Sequence, residues 1–397
     1  MRAAGWFTAI AFLLVVFSSC GKFDPLHPYD TAPVDTSITW QKTFGGSGDD
    51  LAYSVQQTSD GGFIIVGDTS SYGAGGSDVW LIKTDASGAV EWSKTFGGTG
   101  DDSGRCVVQT QDGGYVIAGS TTSFGHGLAD VYVIKTDGNG NEQWHATYGG
   151  TSNDDGAAVT CTGDGGYAIV GTSSSFGGVT SAYLIKTDSK GGEEWQQTYS
   201  EGLQILGRCV RQTADGGYII AGEVTPSDPL DTDAYLLKTD TSGNKTWSMR
   251  YGREFLDSAT WIEPTPDGGY AFSGYTHSYG AGDFNAWLVK TDSMGNAQGN
   301  GATFGLNADD RAEHVLPTPD GGFVLAGMTK SYEGWEQAWL VKTDATGVLQ
   351  WDKRFGGNGD EWGYCVALTS DGGYVMTGST DPARSGVRDV YLIYYKP

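Results

Sequence analysis

Apolar residues in this chain fall in short alternating or continuous stretches and nowhere at helical spacing. In the first complete set, Ala52 to Thr58 leads to a turn at Asp60-Gly61-Gly62, after which Phe63 to Asp68 reads Phe-Ile-Ile-Val-Gly-Asp. A polar, glycine-rich loop from Thr69 to Ser77 precedes a third run, Asp78 to Lys83. A turn at Asp85-Ala-Ser-Gly88 then introduces a fourth, Val90 to Phe96. Glycine accepts positive φ and aspartate caps a tight turn, so this punctuation is that of β-hairpins. The pattern predicts four short antiparallel strands in succession.

The set then recurs. An Asp-Gly-Gly-(Tyr/Phe) tetrad begins at Asp60, Asp112, Asp164, Asp215, Asp267, Asp320 and Asp371, at steps of 52, 52, 51, 52, 53 and 51 residues. Such a period means one supersecondary unit copied seven times, and four-stranded units in that array predict an all-β, seven-bladed β-propeller. The seventh unit stops after its third strand, Val390 to Tyr394, while an orphan fourth strand, Ile38 to Phe44, precedes the first. An N-terminal strand completing the last blade would tie the two ends together, so the propeller is predicted over residues 38–397. Repetition also assigns framework roles. Trp40, Trp92, Trp144, Trp195, Trp247 and Trp351 share one place on the fourth strand and are expected to seal blade against blade. Lys83, Lys135, Lys186, Lys238, Lys290 and Lys342, each in Lys-Thr-Asp, are expected to form framework ion pairs near the turn aspartates.

Composition narrows the partners. Glycine is abundant, at 63 residues, and those that recur at fixed places in each unit serve turns, while a net charge of −24 argues against nucleic acid and bare anionic membrane. Cations, basic proteins and neutral glycans stay open. Residues 1–19 read as a signal peptide: Arg2, then an apolar run from Trp6 to Phe17 too short to span a bilayer, then Ser18-Ser19. Small residues directly before Cys20 resemble the lipobox of bacterial lipoproteins, although Phe17 stands where that family usually has Leu. The resemblance implies lipidation of Cys20, and Gly21 after it implies the outer membrane. Residues 20–37, with Pro25, Pro28 and Pro33, read as the lipidated cysteine and a flexible tether. Cys106, Cys209 and Cys365 share one repeat position and, with Cys161, read as small buried thiols rather than disulfides.

In a propeller the loops between strands 2 and 3 and those between blades share a face, the usual ligand face. The inter-blade loops carry an acidic column, Asp50, Asp102, Asp154, Asp257, Asp310 and Glu361, interrupted by Ile205. Asp49 and Asp101 precede two of them in Gly-Gly-x-Gly-Asp-Asp, which matches part of the glycine-rich calcium nonapeptide. Calcium needs several oxygens converging at one point, and the motif returns every 52 residues rather than in tandem. Bound calcium and turn-capping aspartates are thus the two readings. The other loops present Tyr72, Phe124, Phe176, Tyr279 and Tyr332, with Trp335 nearby, either as a ligand surface or as loop anchors. Arg105, Arg208, Glu313 and His314 lie on the first strands, near the channel mouth. Glu313-His314 beside Asp310 is the one cluster that can be drawn as an acid–base site. No nucleophile motif, zinc spacing or phosphate loop occurs.

Unit 2, with Gly97-Gly98, Asp101, Asp112-Gly-Gly-Tyr115-Val-Ile-Ala-Gly119, Asp130, Lys135 and Trp144, resembles the bacterial seven-bladed β-propeller repeat family (SBBP-type), and the likeness runs over about 360 residues. That resemblance implies a propeller in an extracytoplasmic setting, with no single activity. Asp85, Gly88 and Trp92 are similar to the tryptophan-docking repeat of quinoprotein dehydrogenases, but are spaced one residue shorter and lack an adjacent cysteine pair. The expectation is a lipid-anchored envelope propeller that binds a protein or glycan without catalysis and without a cofactor. The alternative is an envelope glycan hydrolase or lyase using loop-face carboxylates.

Overall fold

The structure, a computed structural model, describes residues 38–332 and 334–397. The signal peptide, Cys20 and the tether lie outside the described residues. Among the described residues there are 28 strands, in seven antiparallel four-stranded sheets. Blade 1 runs outward as Asp50–Gln57, Phe63–Thr69, Asp78–Thr84 and Val90–Phe96, and five more blades follow in the same order. The seventh has Asp360–Leu368, Tyr374–Asp381 and Asp389–Tyr395, and its outer strand is Ile38–Phe44, which pairs Phe44 with Val390 and Thr43 with Tyr391. The seven innermost strands pack side by side in a closed ring. The predicted architecture and its closure are therefore present.

Each recurring residue has a physical task. In the tetrad Asp60 accepts the Thr58 hydroxyl at 2.5 Å and the Gly62 N–H at 3.0 Å, which fixes the hairpin, and Gly61 takes φ +85°. Lys83, almost wholly buried, brings its ammonium to Asp60 at 3.0 Å, and the pairing repeats in Lys135–Asp112, Lys186–Asp164, Lys238–Asp215 and Lys342–Asp320. The Lys342 ammonium and the Thr318 hydroxyl hold the Asp320 carboxyl down at about 2. The aromatic that ends the tetrad is a socket for the preceding blade. Trp92 meets Tyr115 at 6.1 Å between ring centroids, Trp195 meets Tyr218 at 5.8 Å, and Trp40 of the closing strand meets Phe63 at 5.9 Å. Blade 5 has no such tryptophan on its fourth strand, which shortens to Ala302–Phe304.

Candidate functional site

The acidic column turns inward. Asp50, Asp102, Asp154, Asp257 and Asp310 are at most 1% exposed, and Glu361 is also buried. Asp102 accepts the Thr121 hydroxyl, the Ser123 hydroxyl at 2.6 Å and the Gly98 N–H at 2.8 Å. Asp50 does the same with Thr69, Ser71 and Gly46, and Asp154 with Ser173, Ser175 and Gly150. The expectation that this column faces a ligand is corrected: each carboxylate clips the inter-blade loop to the loop between strands 2 and 3. Ile205 interrupts the column where both partners change too, since it pairs with Val224 and is followed across the clip by Pro226. Burial raises the Asp310 and Glu361 carboxyls. Asp49 and Asp101 accept the N–H groups of Arg388 and Ser77, each from the preceding blade, at 3.0 and 3.1 Å. Among the described residues no three His, Cys, Asp or Glu side chains cluster to hold a metal.

The loop aromatics also fold back. Tyr72 donates its hydroxyl to the Gly45 carbonyl at 2.8 Å and packs on Trp80. Phe124, Phe176, Tyr279 and Tyr332 pack on Tyr132, Tyr183, Trp287 and Trp339 at the same place in their blades. Trp335 lies partly open against the Arg384 guanidinium, 4.3 Å from the ring centroid.

The asymmetric groups converge in the central channel. Every innermost strand carries a β-bulge just after its third or fourth residue, for example between Ala52 and Ser54 and between Gly104 and Cys106. A bulge re-aims the extra residue away from the ladder. The seven extra residues are Tyr53, Arg105, Ala157, Arg208, Thr260, Glu313 and Tyr364, and all line one cavity of about 660 Å³ at the loop-face end. Asp155, Glu223, Tyr275 and Arg311 complete its charged and aromatic wall. Arg208 pairs with Glu223 at 3.2 Å; Arg105 sits 4.0 Å from Asp68 and 4.1 Å over the Tyr53 ring. Burial raises the Asp68 carboxyl to about 6 against the pull of Arg105. Glu313 is likewise raised by burial, opposed by Arg311 and Arg208, and burial lifts the Tyr275 phenol to about 12.

The Glu313–His314 acid–base pair does not form, because the bulge sends the two side chains to different places. His314 lines a second cavity of about 460 Å³ toward the hairpin face, shared with Arg211, Trp261, Cys106 and Cys365. Its ring lies 4.1 Å from Trp261 between centroids, and burial together with Arg211 holds it neutral, well below the usual imidazole range. Arg211 pairs with Glu263 at 2.7 Å. The Cys106, Cys209 and Cys365 thiols donate to carbonyls of the next blade's innermost strand at 3.6 to 3.8 Å, and none is in a disulfide. Of the channel mouth, sequence reasoning found Arg105, Arg208 and Glu313 and missed Tyr53, Ala157, Thr260 and Tyr364. The signal was present: all seven stand three residues after the acidic column or its Ile205 and Glu361 equivalents.

No protein-family model matches the chain. A stretch of 138 aligned residues is 28% identical to regulatory protein FlaEY of Caulobacter vibrioides, over 31% of this chain and 14% of that protein. The chain thus matches only a small part of that relative's length. The Neurospora crassa Pan2 WD40 domain aligns with a TM-score of 0.53 at 12% identity, over 92% of this chain and 97% of the domain. An ulvan lyase bound to -[GlcA(1-4)Rha3S]- aligns with a TM-score of 0.54 at 10% identity, over 89% and 96%. Likeness at these identities establishes the propeller fold alone, since one fold carries many chemistries.

Proposed function

We propose that this chain is a non-catalytic binding module of the bacterial envelope, tethered to the outer membrane by a lipid on Cys20, that takes a protein or glycan ligand at the loop-face end of its channel. One observation carries the reading. The seven units repeat their framework residues, while the seven bulge positions carry five different residue types and converge on a chamber of about 660 Å³, a volume in the range of small-ligand sites. A symmetric ring cannot by itself recognise an asymmetric ligand, so recognition belongs where the repeat breaks. The rival, a glycan hydrolase or lyase working with loop-face carboxylates, loses the acidic column to internal clips. The net charge of −24 argues against nucleic acid.

Filling the chamber tests this. Ala157→Trp places a large ring where Tyr53 and Tyr364 already stand in other blades, so the bulge accepts it. A glycan array and a pull-down from envelope extract should each give species that bind the wild type and not the variant. Equal binding by both proteins would place the ligand elsewhere. For the anchor, Cys20→Ala should move the protein to the soluble fraction, and continued membrane attachment would refute lipidation.

A further inference from the structure

Among the described residues, Arg311 is the chamber arginine without an acidic partner. The channel holds four arginines, and three have acidic partners: Arg105 with Asp68, Arg208 with Glu223 and Arg211 with Glu263. Among the described residues the Arg311 side chain makes no ion pair within 4.0 Å and no hydrogen bond, and its buried Nε has no partner. It is held instead by rings, lying 4.7 Å from the Tyr275 centroid, 5.0 Å from Phe284 and 6.0 Å from Trp362. At the same register the other blades carry Leu51, Ser103, Asp155, Leu206, Ser258 and Trp362. The repeat therefore does not require a cation there.

A guanidinium carries five donors in a planar fork, and leaving a buried donor unpaired is costly. Aromatic walls satisfy its faces and not its edges. Its edge is therefore matched to a carboxylate, which takes two parallel N–H bonds. The rest of the chamber narrows the class. Asp155, Glu223 and Glu313 line the same cavity, so a densely charged anion such as a polyphosphate would meet three carboxylates. Those oxygens instead suit hydroxyl donors. Beside them stand Tyr53 and Tyr364, which line the same cavity with ring centroids 5.4 Å apart and planes tilted at 47°, an aromatic corner that suits the C–H face of a pyranose.

Resting on the chamber as the binding site, we infer that the ligand is a carboxylated sugar of the uronic-acid class, with its carboxylate on Arg311, its ring against Tyr53 and Tyr364 and its hydroxyls on the chamber carboxylates. Titration calorimetry with trigalacturonate against its methyl ester tests the class on the wild type, without any variant. The acid should bind, the ester about tenfold or more weakly, because a site built around a polar group rejects the analogue that lacks it. Arg311→Gln should bring the acid down to the level of the ester, and Arg311→Lys, which keeps charge without the fork, should fall between. Folding of each variant is checked by its thermal transition.

Equal binding of acid and ester, both blocked by Ala157→Trp, would overturn the carboxylate assignment and leave the chamber standing. Binding of trigalacturonate unchanged in Ala157→Trp would overturn the chamber itself. Binding of peptides with a free C-terminal carboxylate and of no saccharide would overturn the sugar class, as would binding of neither.

Discussion

The inward acidic column makes a sharp prediction, because one blade has already run the experiment. Asp102 is 1% exposed and accepts two hydroxyls and one amide. Asp102→Ile removes the acceptor of all three bonds at once. The bond from fully buried Thr121 to a charged acceptor is worth about 2–3 kcal/mol, and the part-buried bonds from Ser123 and Gly98 about 0.5–1 kcal/mol each. The single substitution should therefore cost about 3–5 kcal/mol. Blade 4 has Ile205, Val224 and Pro226 at the three equivalent positions. Replacing both sides of a polar contact by apolar groups is close to neutral where replacing one is not. The triple Asp102→Ile/Thr121→Val/Ser123→Pro removes the two hydroxyls with the carboxylate but leaves the Gly98, Gly100 and Phe124 N–H groups without their side-chain acceptors, so it should recover about 1–2 kcal/mol of the loss. Urea unfolding followed by tryptophan fluorescence measures the difference. At about 2.1 cal/mol/K per residue over roughly 360 residues, the single substitution should also lower the melting temperature by about 5 °C. A single substitution costing under about 1 kcal/mol, or a triple no better than the single, would refute the clip.

Two further predictions concern closure and pH. Trp40 on the closing strand stacks on Tyr394 at 5.5 Å and meets Phe63 across the blade junction; Trp40→Ala should cost about 2–3 kcal/mol in urea unfolding, less than a fully buried ring because Trp40 is half-buried, and a negligible change would mean the junction contributes little to stability. Burial first, then the neighbouring Asp231 and Asp257, raises the Asp233 carboxyl from 3.8 to about 6, against the pull of Arg250. The folded state therefore holds this proton more tightly, so the stability it brings is full below about pH 4 and is lost as pH rises through 6. Asp233→Asn should then match the wild type near pH 4 and melt higher at pH 8, and a variant that melts lower at pH 8 would reverse the sign of the argument.

Much of the scaffold was legible from the repeat. The hairpins, the four-strand blades, the closing strand and the tryptophan seals all follow from positions that recur, and recurrence is how a solenoid or propeller writes its framework. Two features were not legible from local pattern. Asp50 and its equivalents stand among glycines, which reads as an exposed loop; their donors come 19 and 21 residues later, beyond any local window. The joint change to Ile205, Val224 and Pro226 was the internal signal that these positions act together. The bulge was the second. One extra residue turns Glu313 and His314 toward different cavities and brings Tyr53 and Tyr364 into line with Arg105 and Arg208, and a strand's alternation carries no mark of where that slip falls.

The most direct measurement of where recognition lies is a single calorimetric comparison of trigalacturonate binding to the wild type, to Ala157→Trp and to the Asp102→Ile/Thr121→Val/Ser123→Pro triple. Binding should survive in the triple, whose changes touch only the repeated loop clip, and vanish in Ala157→Trp, whose change touches only the channel mouth. The reverse, binding lost with the clip and kept with the chamber filled, would place the ligand on the loop face and contradict the assignment of recognition to the residues that break the repeat.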